Sequence, residues 1–200
     1  MHLPNEQDWG PKKGSARITV EMLGKAHRGG KRISKEDYYL NIATEVVRRG
    51  TCLRRNYGAV VVKNDEIIST GYTGAPRGAK NCIDIGYCPR SNLNVPPGER
   101  YELCRSVHAE MNALIHISRR EAMGGTMYLM GVEAQTGGPL PNGAEPCRLC
   151  KRVIINAGIE KVLTKNINGE VINYQVRNWI NNEELEYGIS LDSYSKELPK

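Results

Sequence analysis

Two short runs hold the residues best suited to chemistry: Val107-His108-Ala109-Glu110-Met111 and, further along, Pro146-Cys147-Arg148-Leu149-Cys150. One imidazole and two thiols form a ligand set that zinc takes readily, and three protein ligands leave a tetrahedral position open for water. Two thiolates cancel the charge of Zn²⁺, so this metal is a weaker acid than one held by three histidines. Its water then gains from a carboxylate that removes the proton. Glu110, two residues from His108, fits that role. A closed structural site, in which a fourth protein ligand fills the open position, is the alternative reading of the same residues.

These roles make demands on the elements around them. Cys147 and Cys150 are three apart, so on the first turn of a helix they share a face. There the helix dipole and free backbone N–H groups favour the thiolate that zinc requires. His108 and Glu110 are two apart, about 200° around a regular helix, and do not share a face. They converge only if a helix begins at that point, with one of them at its irregular edge.

The flanking sequence supplies such elements. Ser34-Lys35-Glu36-Asp37 has the spacing of a capping box, and Tyr39, Ile42, Ala43, Val46 and Val47 recur at helical intervals until Gly50. Ala59–Val62 and Ile67–Thr70 are β-rich runs joined by the polar link Lys63-Asn64-Asp65-Glu66, which predicts an antiparallel hairpin. A second helix runs from near His108 to before Gly124-Gly125, with Met111, Leu114 and Ile115 on its apolar stripe and Ser118 interrupting it. Thr126–Met130 is a third strand. Cys147 opens a third helix closed by Gly158, and Ile159–Leu163 is a fourth strand. Strands alternating with helices argue an α/β layer architecture with helices packed on a mixed sheet. Residues 79–102 are irregular and long for a compact domain, which implies that they bind something or are held by something. Residues 166–200 contain a short strand or helix and a tail.

A chain of 200 residues with 40% hydrophobic content suits one compact domain with short appendages. We expect residues 1–33 to be a basic N-terminal extension, 34–165 the catalytic domain and 166–200 a C-terminal extension. No apolar run approaches the roughly 20 residues of a membrane helix, and the N-terminus lacks the apolar core of a signal peptide, so a soluble, cytoplasmic protein with no membrane partner is expected. The formal charge of +6 suits anionic partners, though much of it lies between Lys12 and Lys35, where a solvated tail accounts for it. Six cysteines in such a protein read as metal ligands before they read as disulfides. His2, His27 and His116 have no motif context.

The pattern His-x-Glu…Pro-Cys-x-x-Cys is the signature of the zinc nucleobase deaminases. Three longer runs sharpen the match: Cys52-Leu53-Arg54-Arg55-Asn56-Tyr57-Gly58-Ala59-Val60-Val61-Val62, Ser69-Thr70-Gly71-Tyr72-Thr73-Gly74-Ala75-Pro76-Arg77-Gly78, and Cys104-Arg105-Ser106-Val107-His108-Ala109-Glu110-Met111-Asn112-Ala113. Over roughly residues 36–165 the chain resembles the deoxycytidylate deaminases and, more distantly, the tRNA adenosine and cytidine deaminases. The resemblance implies a cytidine-deaminase-like three-layer fold, a five-stranded mixed sheet with helices on both faces. It implies a homo-oligomer, with dCTP and dTTP as allosteric effectors, that converts dCMP to dUMP. Carried over by position, His108, Cys147 and Cys150 hold the catalytic zinc and Glu110 shuttles protons. The backbone at Ala109 would meet the pyrimidine carbonyl, and Arg54, Arg55 and Asn56 lie where phosphate and sugar are held. Some members also carry a second, structural zinc. Cys52 and Cys82 match two of its ligands, and Cys88 and Cys104 are near enough in sequence to complete a Cys₄ shell; buried or free thiols are the alternative.

Two departures bear on the substrate. Thr73 stands where the family has an asparagine that contacts the sugar hydroxyls, and a shorter hydroxyl changes both reach and donor count. The stretch Gly131–Glu145 is longer than the usual link into Pro-Cys; it could shape the pocket, form a subunit contact or be an inert surface loop. These departures motivate deamination of another free cytosine nucleotide or nucleoside as an alternative. An editing enzyme acting on nucleic acid is disfavoured, because the basic arm has little aromatic interleaving for base stacking beyond Trp9.

Overall fold

Lys35–Val47 forms α1, with Glu36 and Asp37 favourably placed in its first turn. The computed structural model describes residues 32–181 apart from Pro97, so nearly all of the basic arm and the end of the C-terminal extension lie outside the described residues. The buried stripe of α1 is Tyr39, Leu40, Ala43 and Val47, while Ile42 and Val46 pack at its margin. Next, β1 (Arg55–Lys63) and β2 (Glu66–Tyr72) pair antiparallel across the two-residue turn Asn64-Asp65. Both turn residues adopt positive φ, 51° and 68°, which matches the right-handed twist of the strands. Tyr39 donates its hydroxyl to Asp65 at 2.8 Å and so fastens α1 to the hairpin.

The segment 79–104 contains short α2 (Cys82–Ile85), α3 (Pro89–Asn92) and a 3₁₀ turn at Tyr101–Leu103. Then come α4 (Ala109–Ile115), α5 (Arg119–Ala122), β3 (Thr126–Glu133), α6 (Arg148–Ala157), β4 (Lys161–Lys165), β5 (Val171–Gln175) and α7 (Val176–Asn181). The helix expected to run unbroken to Gly124 is therefore two. Ser118 does more than interrupt a stripe: it caps α5 in a capping box with Glu121, and a serine taken up in a cap cannot continue α4.

The sheet has five strands in the order β2-β1-β3-β4-β5. Only β3 and β4 are parallel, joined by the crossover through α6; the remaining pairs are antiparallel. Alternation along the central strands divides the core in two. Val60, Val62, Tyr128 and Leu163 face α1, whereas Ala59, Val61, Met127, Leu129 and Val162 face α4, α6 and α7. Val176 and Trp179 belong to that second face, so β5 and α7 are part of the same packed body. No helix among the described residues is long and apolar enough to cross a membrane.

Two strand glycines set how closely the helices approach. A Cβ on Gly58 would lie 2.5 Å from the backbone of Ala43 and Val47 in α1, and one on Gly71 would drive into the backbone of Ala109 and Ala113 in α4. We predict that Gly71→Ala, by forcing α4 off β2, lowers stability by about 1–3 kcal/mol in denaturant titrations. A midpoint equal to that of the unsubstituted chain would show that the helix does not rest on this glycine.

Candidate active site

The start of α4 is held to the end of β2 by backbone and side-chain bonds. Gly74 and Val107 exchange N–H···O bonds of 3.3 and 2.8 Å, Asn112 donates to the Tyr72 carbonyl at 2.7 Å, and Ser69 donates to that of Ala113 at 2.6 Å. His108 is the N-cap residue, with extended backbone (φ −70°, ψ 153°), and Glu110 sits one residue into the helix. The extended cap turns the imidazole to the side that Glu110 faces, which a regular helix would not allow. Across from it, Cys147 is the extended N-cap of α6 (φ −68°, ψ 166°) and Cys150 lies in the first turn, fully buried.

His108, Cys147 and Cys150 form a cluster whose ligand atoms all lie within 4.8 Å of one another. The Nδ1 atom of His108 is 3.4 Å from Cys147 Sγ and 3.3 Å from Cys150 Sγ. A tetrahedral zinc with bonds of about 2.3 Å to sulfur and 2.0 Å to nitrogen sets those atoms about 3.5 Å apart, so the donors fit the ion in kind and in spacing. Glu110 is 4% exposed and faces the Cys150 thiol. Burial pushes its carboxyl up, against the opposing pull of His108. His108 is raised by its bond with Cys147. The thiol pair holds its first negative charge on Cys147, brought down to about 4 by the hydrogen bond it receives from Cys150, whose own thiol is pushed up by donating it.

The cluster lies in a cavity of about 730 Å³. Arg54, Arg55 and Thr73 line it, along with the four remaining cysteines, Cys52, Cys82, Cys88 and Cys104. Those four sulfurs do not converge as the catalytic donors do: among the described residues, the group whose ligand atoms approach that closely is His108, Cys147 and Cys150. The Cys82 thiol is raised, chiefly by burial and also by the neighbouring Cys52, Cys104 and Cys88. Arg55 pairs with Glu133 at 2.8 Å. The Thr73 hydroxyl accepts from the Tyr57 N–H at 3.0 Å. Asn56 does not line the cavity; both ends of its amide bond the Cys52 backbone, at 2.8 and 3.1 Å, and shape the turn that presents Arg54. Ala109 is fully buried at the head of α4. His116, at the other end of α4, bonds the Thr70 carbonyl and Arg77 away from this cluster.

Several residues with no sequence motif also take part. Tyr101 sets its ring edge-on to the His108 ring, centroids 5.0 Å apart, and hydrogen-bonds Cys147. Its hydroxyl is pushed up to about 12 by burial and by the Cys147 charge. Tyr57, Arg90, Gln135 and Glu145 line the same cavity. The last two lie in the 131–145 stretch, which is thus cavity wall, with Leu140 and Ala144 buried behind it. The only sequence signal for Tyr101 was its place in a long irregular segment.

Residues 33–165 match the family model described as the cytidine and deoxycytidylate deaminase zinc-binding region. The deoxycytidylate deaminase of Mycobacterium phage D29 is 37% identical over 133 residues, covering 64% of this chain and 91% of the phage protein. That of Schizosaccharomyces pombe is 34% identical over 132 residues, covering 66% of this chain but 37% of the yeast protein. A solved structure of dCMP deaminase from the cyanophage S-TIM5, in complex with dCMP and dUMP, is 26% identical and covers 66% of this chain and 82% of the other, with a TM-score of 0.46.

Tyr101 touches two of the three metal donors without being one, so its substitution should weaken the metal rather than abolish it. Tyr101→Phe is expected to lower zinc affinity about tenfold in chelator competition, the smaller end of what losing an outer-shell partner costs. Unchanged affinity would show that its hydroxyl does not steady Cys147.

Proposed function

Since the chain belongs to the cytidine and deoxycytidylate deaminase zinc-binding family, we propose that it hydrolyses the exocyclic amine of a cytosine nucleotide, converting dCMP to dUMP and ammonia. The observation that carries this reading is a buried carboxylate, Glu110, beside three converging zinc donors in the floor of an open cavity. His108, Cys147 and Cys150 hold the ion. When bound, zinc lowers the pKa of water and so supplies a nucleophile at neutral pH. Glu110 would take one proton from the water as its oxygen bonds C4 and deliver it to the ring nitrogen N3, then take the second proton from the resulting C4 hydroxyl and give it to the departing amine. The C4–N4 bond breaks and the water oxygen becomes the new carbonyl oxygen. Burial raises the Glu110 carboxyl toward the working pH, which suits a group that must both accept and return a proton. The backbone at Ala109 meets the pyrimidine carbonyl. Arg54 reaches for the phosphate, and Arg55, already paired with Glu133, assists from the rim. Asn56 and Thr73 act through the Cys52 turn and the Tyr57 backbone that they hold.

The reading extends to a second, structural zinc on Cys52, Cys82, Cys88 and Cys104. All four line one cavity, and a metal there would order a segment poor in apolar residues. It also includes a homo-oligomeric, cytoplasmic enzyme regulated by dCTP and dTTP, with residues 34–165 as the catalytic domain. Metal analysis should then return two zinc per chain, and a value of one removes the second site.

A second reading, deamination of another cytosine nucleotide or a nucleoside, draws on the Thr73 hydroxyl, which is committed to the Tyr57 backbone in place of the sugar. Ammonia release across dCMP, CMP, deoxycytidine and cytidine separates the two: dCMP should have the highest kcat/KM, and a nucleoside preference would overturn the first. Glu110→Gln should keep stoichiometric catalytic zinc and lose about 10²–10⁴ in kcat. Near-normal turnover in that variant would remove Glu110 from the proton path.

A further inference from the structure

Arg90 lies outside every motif quoted above, yet it is a charged side chain only 7% exposed in the wall of the catalytic cavity. It enters from α3, where Cys88 and Pro89 start the helix. Its Nη2 donates to the Pro96 carbonyl at 3.0 Å, and its guanidinium carbon sits 4.8 Å from the centre of the Tyr101 ring. The same ring abuts His108. One tyrosine therefore separates this guanidinium from a zinc donor.

Among the described residues Arg90 makes no ion pair; Glu102, the carboxylate that feels its charge, is bonded to Arg100. Two buried side-chain polar atoms among the described residues lack a hydrogen-bond partner, Arg90 Nε and Arg54 Nη1, and both belong to arginines lining this cavity. The carboxylates of the cavity wall are engaged elsewhere. Glu133 pairs with Arg55 and Glu145 with Lys151, each at 2.8 Å, while Glu110 faces His108 and Cys150. A buried guanidinium without an ion-pair partner is costly, and two in one cavity repel each other as well. Both penalties disappear if the cavity's ligand brings a compact anion.

We propose that Arg90 is a specificity-determining residue which, together with Arg54 in the same cavity, forms an anion subsite for the 5′-phosphate monoester of the substrate. Guanidinium forks suit phosphate oxygens, and a nucleoside offers them nothing. The inference rests on the deaminase reading for its substrate, but the subsite itself can be tested without turnover. With the full-length zinc-loaded protein, inorganic phosphate should raise the unfolding temperature in a concentration-dependent way, and Arg90→Gln should weaken that response about 10- to 100-fold in apparent affinity. In activity assays the ratio of kcat/KM for dCMP to that for deoxycytidine should fall by the same factor, and Arg90→Lys should recover part of it by restoring the charge. A preserved phosphate response in Arg90→Gln overturns the proposal, as does a loss of activity equal for both substrates, because either outcome leaves Arg90 a packing residue. Should Arg90→Gln fold poorly, Arg54→Gln carries the same ratio test, and an unchanged ratio there likewise defeats the paired subsite. If the unsubstituted chain responds to phosphate but deaminates no cytosine compound, the deaminase reading falls and the subsite stands.

Discussion

Convergence of an imidazole and two thiols from separate helix starts on a space about one ion across is the constraint that shapes this structure. Neither helix can shift without breaking it. The α4 start is fixed by the Gly74–Val107 bridge and by bonds from Ser69 and Asn112, whereas the α6 start hangs from the crossover between the parallel strands β3 and β4. The site forms where β2 and β3 end and β1 begins, so three adjacent strand termini feed one cavity. Open α/β sheets commonly bind ligands beyond the carboxyl ends of their strands, because loops there can vary while the sheet stays fixed.

Charge organises the cavity as strongly as packing organises the core. Its floor is the metal cluster and a buried carboxylate; its walls carry Arg54, Arg55, Arg90 and Arg105. Wall carboxylates partly balance them: Glu133 neutralises Arg55 and Glu145 meets Lys151. Positive charge is left over on Arg54, Arg90 and Arg105, which make no ion pair among the described residues. The rings of Tyr57 and Tyr101 line the same cavity, Tyr101 edge-on to His108.

Much of this was legible in the residues because covalent spacing dictates it. A spacing of two from His108 to Glu110 requires a helix to begin at His108, and one does. A spacing of three from Cys147 to Cys150 puts both sulfurs on a first turn. The hairpin followed from a short polar link between the β-rich runs Ala59–Val62 and Ile67–Thr70. Legibility fails where structure depends on tertiary contact. Proline and glycine in 131–145 look alike in a free loop and in a wall anchored by Leu140. Tyr101 and Arg90 acquire their partners only when a segment without periodicity folds over the site. The break after Ile115 is written in Ser118-x-x-Glu121, where the serine that interrupts the apolar stripe also caps the next helix.

The last helix has a reach beyond its length. Trp179 lies over the Lys151 ammonium at 5.2 Å, and Lys151 in turn grips Glu145, the residue just before the Pro146-Cys147 turn. The matched family region stops at residue 165, so this brace is supplied from outside it. A border drawn by similarity would thus sever a strut from the joint it steadies, exposing a sequestered ammonium next to the metal-bearing turn. Kinship and mechanical integrity mark out different lengths of this polypeptide.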